Sequence, residues 1–211
     1  MYLAYENQHV RGGGISAVSI ALIFFVLLFT GNISLKNDLL HPEFSSSLIT
    51  GLISYVFVGL SEEMFSRGYC MTVLKQTQVK WVPLVISSLI FSLAHGLNPN
   101  VSAAGLLNIF LAGMLFGVMF IETDSLWMPI GYHITWNFFQ GKFFSFPVSG
   151  NASEGVYKIN VLNNNLLTGG DFGPEGGILT TLVILIGFFA VLKFKGAGKK
   201  KNFPLSRWFA G

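Results

Sequence analysis

The chain has 211 residues, of which 52% are hydrophobic and only 11% charged, with a mean hydropathy of +0.59. Soluble domains carry about 25% charged residues, so this composition excludes an ordinary soluble globule and points to a multi-pass membrane protein built as one bundle. The net charge of +3 is small, and Cys70 is the single cysteine, so a disulfide framework and a cysteine-built zinc site are excluded and Cys70 reads as a packing residue.

Six apolar runs approach the ~20 residues that a membrane helix needs. The first, 14–33, is nearly uninterrupted Ile, Leu, Val and Phe. It is longer than the apolar part of a signal peptide, and no clean small-residue cleavage site follows, so it reads as an uncleaved helix. The second starts near Ser47 and continues to about Lys75, because no Gly-Pro break interrupts it. The third, 82–97, is the shortest. The fourth, 101–121, carries Gly113 and Gly117 as a GxxxG pair for close helix packing. The fifth is 126–144. A long loop, 145–176, holds the sequon Asn151-Ala152-Ser153 and several glycines, and is either a cap or a plain connector. The sixth run is 177–194.

The expected fold class is therefore all-α, a polytopic transmembrane helix bundle of about six spans. Its organisation reads as an N-terminal segment with the first span (1–46), a helical core (47–144), an extracytoplasmic loop (145–176), and a last span with a basic tail (177–211). No internal repeat is visible, so an inverted-repeat transporter is not supported.

Lysine and arginine give the orientation. With both termini cytoplasmic, the inside segments hold Arg11, Arg67, Lys75, Lys80, Lys193, Lys195, Lys199, Lys200, Lys201 and Arg207, whereas the outside holds Lys36, Lys142 and Lys158. The basic tail follows a hydrophobic span, so it reads as an anchor on anionic lipid headgroups and not as a nucleic-acid arm.

Three polar clusters interrupt the apolar runs: Glu62-Glu63-Met64-Phe65-Ser66-Arg67, Phe91-Ser92-Leu93-Ala94-His95, and His133-Ile134-Thr135-Trp136-Asn137. A charge in mid-membrane costs about 2.5–3.5 kcal/mol on insertion scales. These groups must face one another, water or a substrate. Glu63 and Arg67 are four apart and share a helix face. Glu62 is turned about 100° away, which leaves it free to handle a proton. A structural ion pair is the plainer reading of the first cluster alone. His133 and Asn137 also share a face, and together can donate hydrogen bonds to an oxyanion. Two acids, two imidazoles and one amide on three spans make a set able to activate water against a carbonyl. Metal-bound water held by Glu62, His95 and His133 is the alternative chemistry.

The three clusters, in this order, resemble the motifs of the CAAX protease and bacteriocin-processing (CPBP, or Abi) family: Glu-Glu-xxx-Arg, Phe-xxx-His and His-xxx-Asn. The flanking Gly68, Gly96 and Pro129-Ile130-Gly131 agree. The resemblance covers about 47–141. It implies an intramembrane endopeptidase in which Glu62 and His95 activate water, His133 and Asn137 bind the oxyanion, and Glu63 and Arg67 hold the site in shape. Both a metalloprotease mechanism and a metal-free glutamate mechanism belong to the family. Asn137 is a poor zinc ligand and a good oxyanion donor, which favours no cofactor over zinc. The expected partners are the bilayer and a peptide substrate of prenylated, bacteriocin-type or membrane-protein origin. A bacteriocin-immunity or binding protein of the same fold, acting without cleavage, and a small transporter are the competing readings. Loop counting puts Glu62 nearer the inside and His95 nearer the outside. A second helix running past Lys75 would reconcile the two.

Overall fold

The computed structural model describes residues 7–194. Lys195, Lys199, Lys200, Lys201 and Arg207 of the expected tail lie outside the described residues.

Helix α1 is Gln8–Phe29. It ends where Thr30 leaves helical geometry and Gly31 takes a left-handed φ of 69°. Helix α2 is Ser47–Thr77, 31 residues long. It passes Lys75 and stops at Gln78, which has a φ of 56°. The great length of α2 places Glu62 near its middle, as the sequence requires. Within it, Met64–Cys70 is π-helical, a wider turn that is frequent at functional sites. Helix α3, Val82–Ala94, opens with Pro83, whose missing N–H costs nothing in a first turn. It is shorter than the expected run to Leu97, and His95 is its capping residue. Helix α4, Ala103–Thr123, starts at Ser102, whose Oγ accepts the Gly105 N–H at 3.0 Å. Helix α5, Trp127–Asn137, continues as a second π-helical stretch, Phe138–Phe143. Helix α6 is Ile178–Phe194.

Three of these helices are long and apolar enough to cross a membrane, and the helices Val82–Ala94 and Ile178–Lys193 are shorter apolar ones. Phe57, Leu93, Ile186 and Phe189 stand exposed on the outside of the bundle. Apolar surface of that kind suits lipid and not water. The fold is an all-α membrane bundle.

Glycines set its spacing. A Cβ on Gly12 of α1 would run into the Met128 carbonyl of α5, and one on Gly131 of α5 into the His9 carbonyl. The two backbones touch because neither residue has a side chain. The GxxxG pair of α4 works likewise, with Gly113 against Ser88 and Gly117 against Leu84 and Met71.

Two features were not legible as elements. Strand β1 (Ile33–Leu35) pairs antiparallel with β2 (Ile159–Val161), tying the end of α1 to the long loop. The loop itself is packed down. Phe172 is 1% exposed and its ring covers Gly105. Arg67, counted among the inside-face basic residues, is instead fully buried at 0% exposure. Nine basic residues remain on that side of the chain.

Candidate active site

Glu63 sits at the centre of four helices. Its Oε1 accepts from Arg67 Nη1 at 3.0 Å, one turn along α2, and from His133 Nδ1 of α5 at 3.0 Å. Arg67 Nη2 donates to the Gly113 carbonyl of α4 at 2.9 Å. Its guanidinium carbon lies 4.3 Å from the centroid of the Phe91 ring of α3. Both charges are 0% exposed and paired with each other, and ring faces meet the guanidinium, while Glu63 Oε2 and Arg67 Nε have no hydrogen-bond partner. Phe91 thus supports the arginine through its ring.

That lattice orients the imidazoles. A carboxylate only accepts, so His133 Nδ1 carries the proton toward Glu63. His95 Nδ1 lies 2.8 Å from the Phe91 carbonyl, which also only accepts. Each neutral ring therefore presents a bare Nε2 lone pair. Both lone pairs face Glu62 Oε2, at 3.7 Å from His95 and 3.9 Å from His133. These gaps are too long for direct hydrogen bonds. Glu62 Oε2 is buried and has no hydrogen-bond partner. The arrangement is three acceptors close together on the wall of one cavity.

Asn137, one turn beyond His133, is 5% exposed, and its amide takes no intramolecular partner among the described residues. It lines a cavity of about 430 Å³ together with Glu62, His95 and His133. A second cavity of about 50 Å³ continues behind Asn137, walled by Ile109, Ala112, Phe116, Trp136 and Ile184. The two share His95, His133, Asn137 and Ser149 as lining, so they are contiguous.

The six residues singled out by sequence are brought together. Three others were missed. Gly113 supplies the carbonyl for Arg67. Ser149 hangs over both cavities with a left-handed φ of 46°. Glu175, beyond the long loop, is buried, accepts the Ser149 N–H through Oε2 and lines the smaller cavity. Asn98 Nδ2 holds the Ser149 carbonyl from the other side at 3.0 Å. No motif marks a loop serine or an isolated glutamate.

Glu62, His95 and His133 are the donor types of a catalytic zinc site. Tetrahedral zinc with bonds of about 2.0–2.1 Å would bring its ligand atoms to about 3.3 Å from one another. The observed 3.7 and 3.9 Å are wider, and no group of three or more His, Cys, Asp and Glu among the described residues is placed to hold a metal ion. The side chains as placed do not fit a bound metal.

Residues 44–139 match the family model for type II CAAX prenyl endopeptidase Rce1-like proteins. No curated protein and no solved structure matches the chain. The matched segment runs from the approach to α2 to the end of α5 and contains all six residues of the lattice and the well. The match covers less than half of the chain, and over that segment it supports kinship with the CAAX protease (CPBP) family.

Proposed function

We propose that the chain hydrolyses a peptide bond inside the bundle by glutamate-activated water, without a metal. The observation that carries this is the unpartnered Glu62 Oε2 facing two imidazole lone pairs across gaps of 3.7 and 3.9 Å. A water has two hydrogens to give, and this space offers acceptors for both. Glu62 takes one proton as the water oxygen attacks the carbonyl carbon, while His95 Nε2 accepts the other hydrogen bond. The oxyanion that forms is met by the Asn137 amide and by His133 Nε2, which donates once the ring, bare at Nε2 in the resting site, has taken up a proton from solvent before the attack; it keeps that proton until product leaves. Glu62 then returns its proton to the leaving nitrogen as the C–N bond breaks. Water has been added across the amide, and the site is restored. Glu63 and Arg67 touch no reacting atom. They position His133 and close the floor of the cavity.

In this reading 47–144 is the catalytic core, both termini are cytoplasmic, and the substrate is a membrane-associated, prenylated or bacteriocin-type peptide. The basic tail meets lipid headgroups and no nucleic acid. The test uses purified protein in detergent with a peptide library read by mass spectrometry. Wild type cleaves, Glu62→Ala does not while still folding, and chelator leaves the wild-type rate unchanged. Biological activity that survives Glu62→Ala would favour a binding role. Activity lost to chelator and restored by zinc would favour a metal.

A further inference from the structure

The cavity around Glu62 is not centred in the bundle. Its lining comes from Tyr55, Val58, Glu62, Phe65 and Ser66 of α2, and from Ile90, Phe91, Ala94 and His95 at the late end of α3. The remainder is Asn98 and the loop residues Val148, Ser149, Asn151 and Ala152, with His133 and Asn137 of α5. Nothing from the last turns of α2, the first two turns of α3, or the α4–α5 turn contributes. One face of the bundle carries the start of α2, the end of α3, the start of α4, the end of α5 and the long loop. The opposite face carries the start of α1, the α2–α3 turn, the α4–α5 turn and the end of α6. Contacts fix this antiparallel order. Gly51 lies under the Lys142 stem, Ser92 Oγ donates to the Leu106 carbonyl, and Asn108 Nδ2 donates to the Gly177 carbonyl.

The well is closed toward the terminal face. Directly below Glu62 lies the Glu63–Arg67–Gly113 lattice, and below that Gly117 packs on Leu84 and Met71. Among the described residues, the rest of its lining comes from the loop-face ends of α2, α3 and α5 and from the long loop, so the well lies on the loop-face side of the lattice. The two faces also differ in charge. Arg11, Lys75, Lys80 and Lys193 stand on the terminal face with the acids Glu122 and Asp124, and five more basic residues follow Lys193 in the sequence. The loop face has Lys36, Lys142 and Lys158, among the acids Asp38, Glu43, Glu154 and Asp171. Lys158 is already paired with Glu43 at 2.6 Å. Basic loops are retained in the cytoplasm.

We propose that the catalytic well opens on the non-cytoplasmic side of the membrane. Its substrate is then a peptide segment of an exported or membrane-inserted polypeptide, presented at the outer surface, and not a lipidated C-terminus in the cytoplasm. The substrate part of this inference rests on the protease reading; the orientation does not.

The experiment has two arms. Lys36→Cys and Lys80→Cys, each in a Cys70→Ala background, are expressed in a bacterial host and treated with a membrane-impermeant maleimide in sealed right-side-out vesicles. Both lysines are solvent-exposed. Lys36→Cys is expected to label at once, and Lys80→Cys only after detergent; the reverse pattern overturns the orientation. In the second arm, wild type and Glu62→Gln are compared in right-side-out and inside-out vesicles given an impermeant fluorogenic peptide library. Glu62-dependent cleavage is expected in the right-side-out preparation at more than tenfold the inside-out rate. Cleavage confined to inside-out vesicles overturns this inference and leaves the protease reading standing. If Glu62-dependent cleavage occurs in neither, the protease reading falls and takes the substrate class with it, while the labelling pattern still decides the orientation.

Discussion

His133 Nδ1 lies 3.0 Å from Glu63 Oε1, across 70 residues of chain. That one contact fixes the tautomer of the imidazole and turns its Nε2 toward Glu62. The same carboxylate oxygen neutralises Arg67. Removing Glu63 therefore leaves a cation with 0% exposure unpaired and the His133 imidazole unaimed. Breaking a buried pair from one side costs about 3–5 kcal/mol. Glu63→Ala and Arg67→Ala are each expected to lose that much in detergent unfolding. Their effects should be strongly non-additive, because the double variant leaves no orphan charge. A double-variant loss equal to the sum of the singles would contradict the lattice.

Glu62 presents the opposite case. Its side chain is 33% exposed, and its Oε2 has no hydrogen-bond partner. Glu62→Gln should leave the unfolding midpoint within about 0.5 kcal/mol of wild type. Its cleavage rate should fall by at least about 10²–10⁴. Stability and rate measured on one preparation separate this residue from Glu63, where both fall.

Asn137 is asked to act only when an oxyanion exists. Asn137→Ala should lower kcat by about 10²–10³ with little change in KM, the mark of a donor used in the transition state. Asn137→Asp places an acceptor where a donor is needed and should do no better. A variant that raises KM alone would reassign Asn137 to substrate binding.

The helical bundle and the pairing within α2 were legible in the sequence. Glu63 and Arg67 could be paired from their spacing, because an α-helix brings residues four apart together. The different directions of Glu62 and Glu63 followed from the same geometry. The Glu63–His133 contact could not be read, since no local rule links α2 to α5. The π-helical stretches Met64–Cys70 and Phe138–Phe143 were also invisible, because apolar side chains satisfy either helix period. The pairing of β1 with β2 depends on three-residue strands in polar loops, too short to give an alternating pattern. Gly113 was legible as a packing residue. Its carbonyl role was hidden, because every residue has a carbonyl and only the fold aims one at Arg67.

Gly113 and Gly117 are four apart and should not respond alike. A Cβ on Gly113 would lie 3.1 Å from both Arg67 Nη2 and Ser88 Cβ. Neither can retreat: the guanidinium is held by one hydrogen bond from each Nη, to Glu63 and to the Gly113 carbonyl, and Ser88 Cβ is fixed by the α3 backbone, whose Cα would lie at 3.2 Å. At Gly117 the obstruction is the methyl end of Leu84, which can rotate. Gly113→Ala is therefore expected to cost about 1–3 kcal/mol and to slow cleavage, and Gly117→Ala less than about 1 kcal/mol. Equal losses in unfolding would show that the guanidinium is not confined as described.

Glu175 gives a pH dependence that belongs to the roof of the well. Burial pushes its carboxyl above the ordinary carboxylate range, and the Ser149 N–H that it accepts offsets this only in part. The folded protein thus holds this proton more tightly than the unfolded chain. The sign of the linkage follows: stability from this group is complete below about pH 4.5, the ordinary value. It is lost as pH rises through the folded value. Each pH unit of elevation corresponds to about 1.4 kcal/mol. Glu175→Gln keeps an oxygen for Ser149 and removes the titration. Thermal midpoints of wild type and variant should therefore agree at pH 4 and diverge toward pH 8, with the variant higher. Midpoints that stay parallel across that range would mean that Glu175 is already ionised at low pH, and that its charge is compensated within the fold.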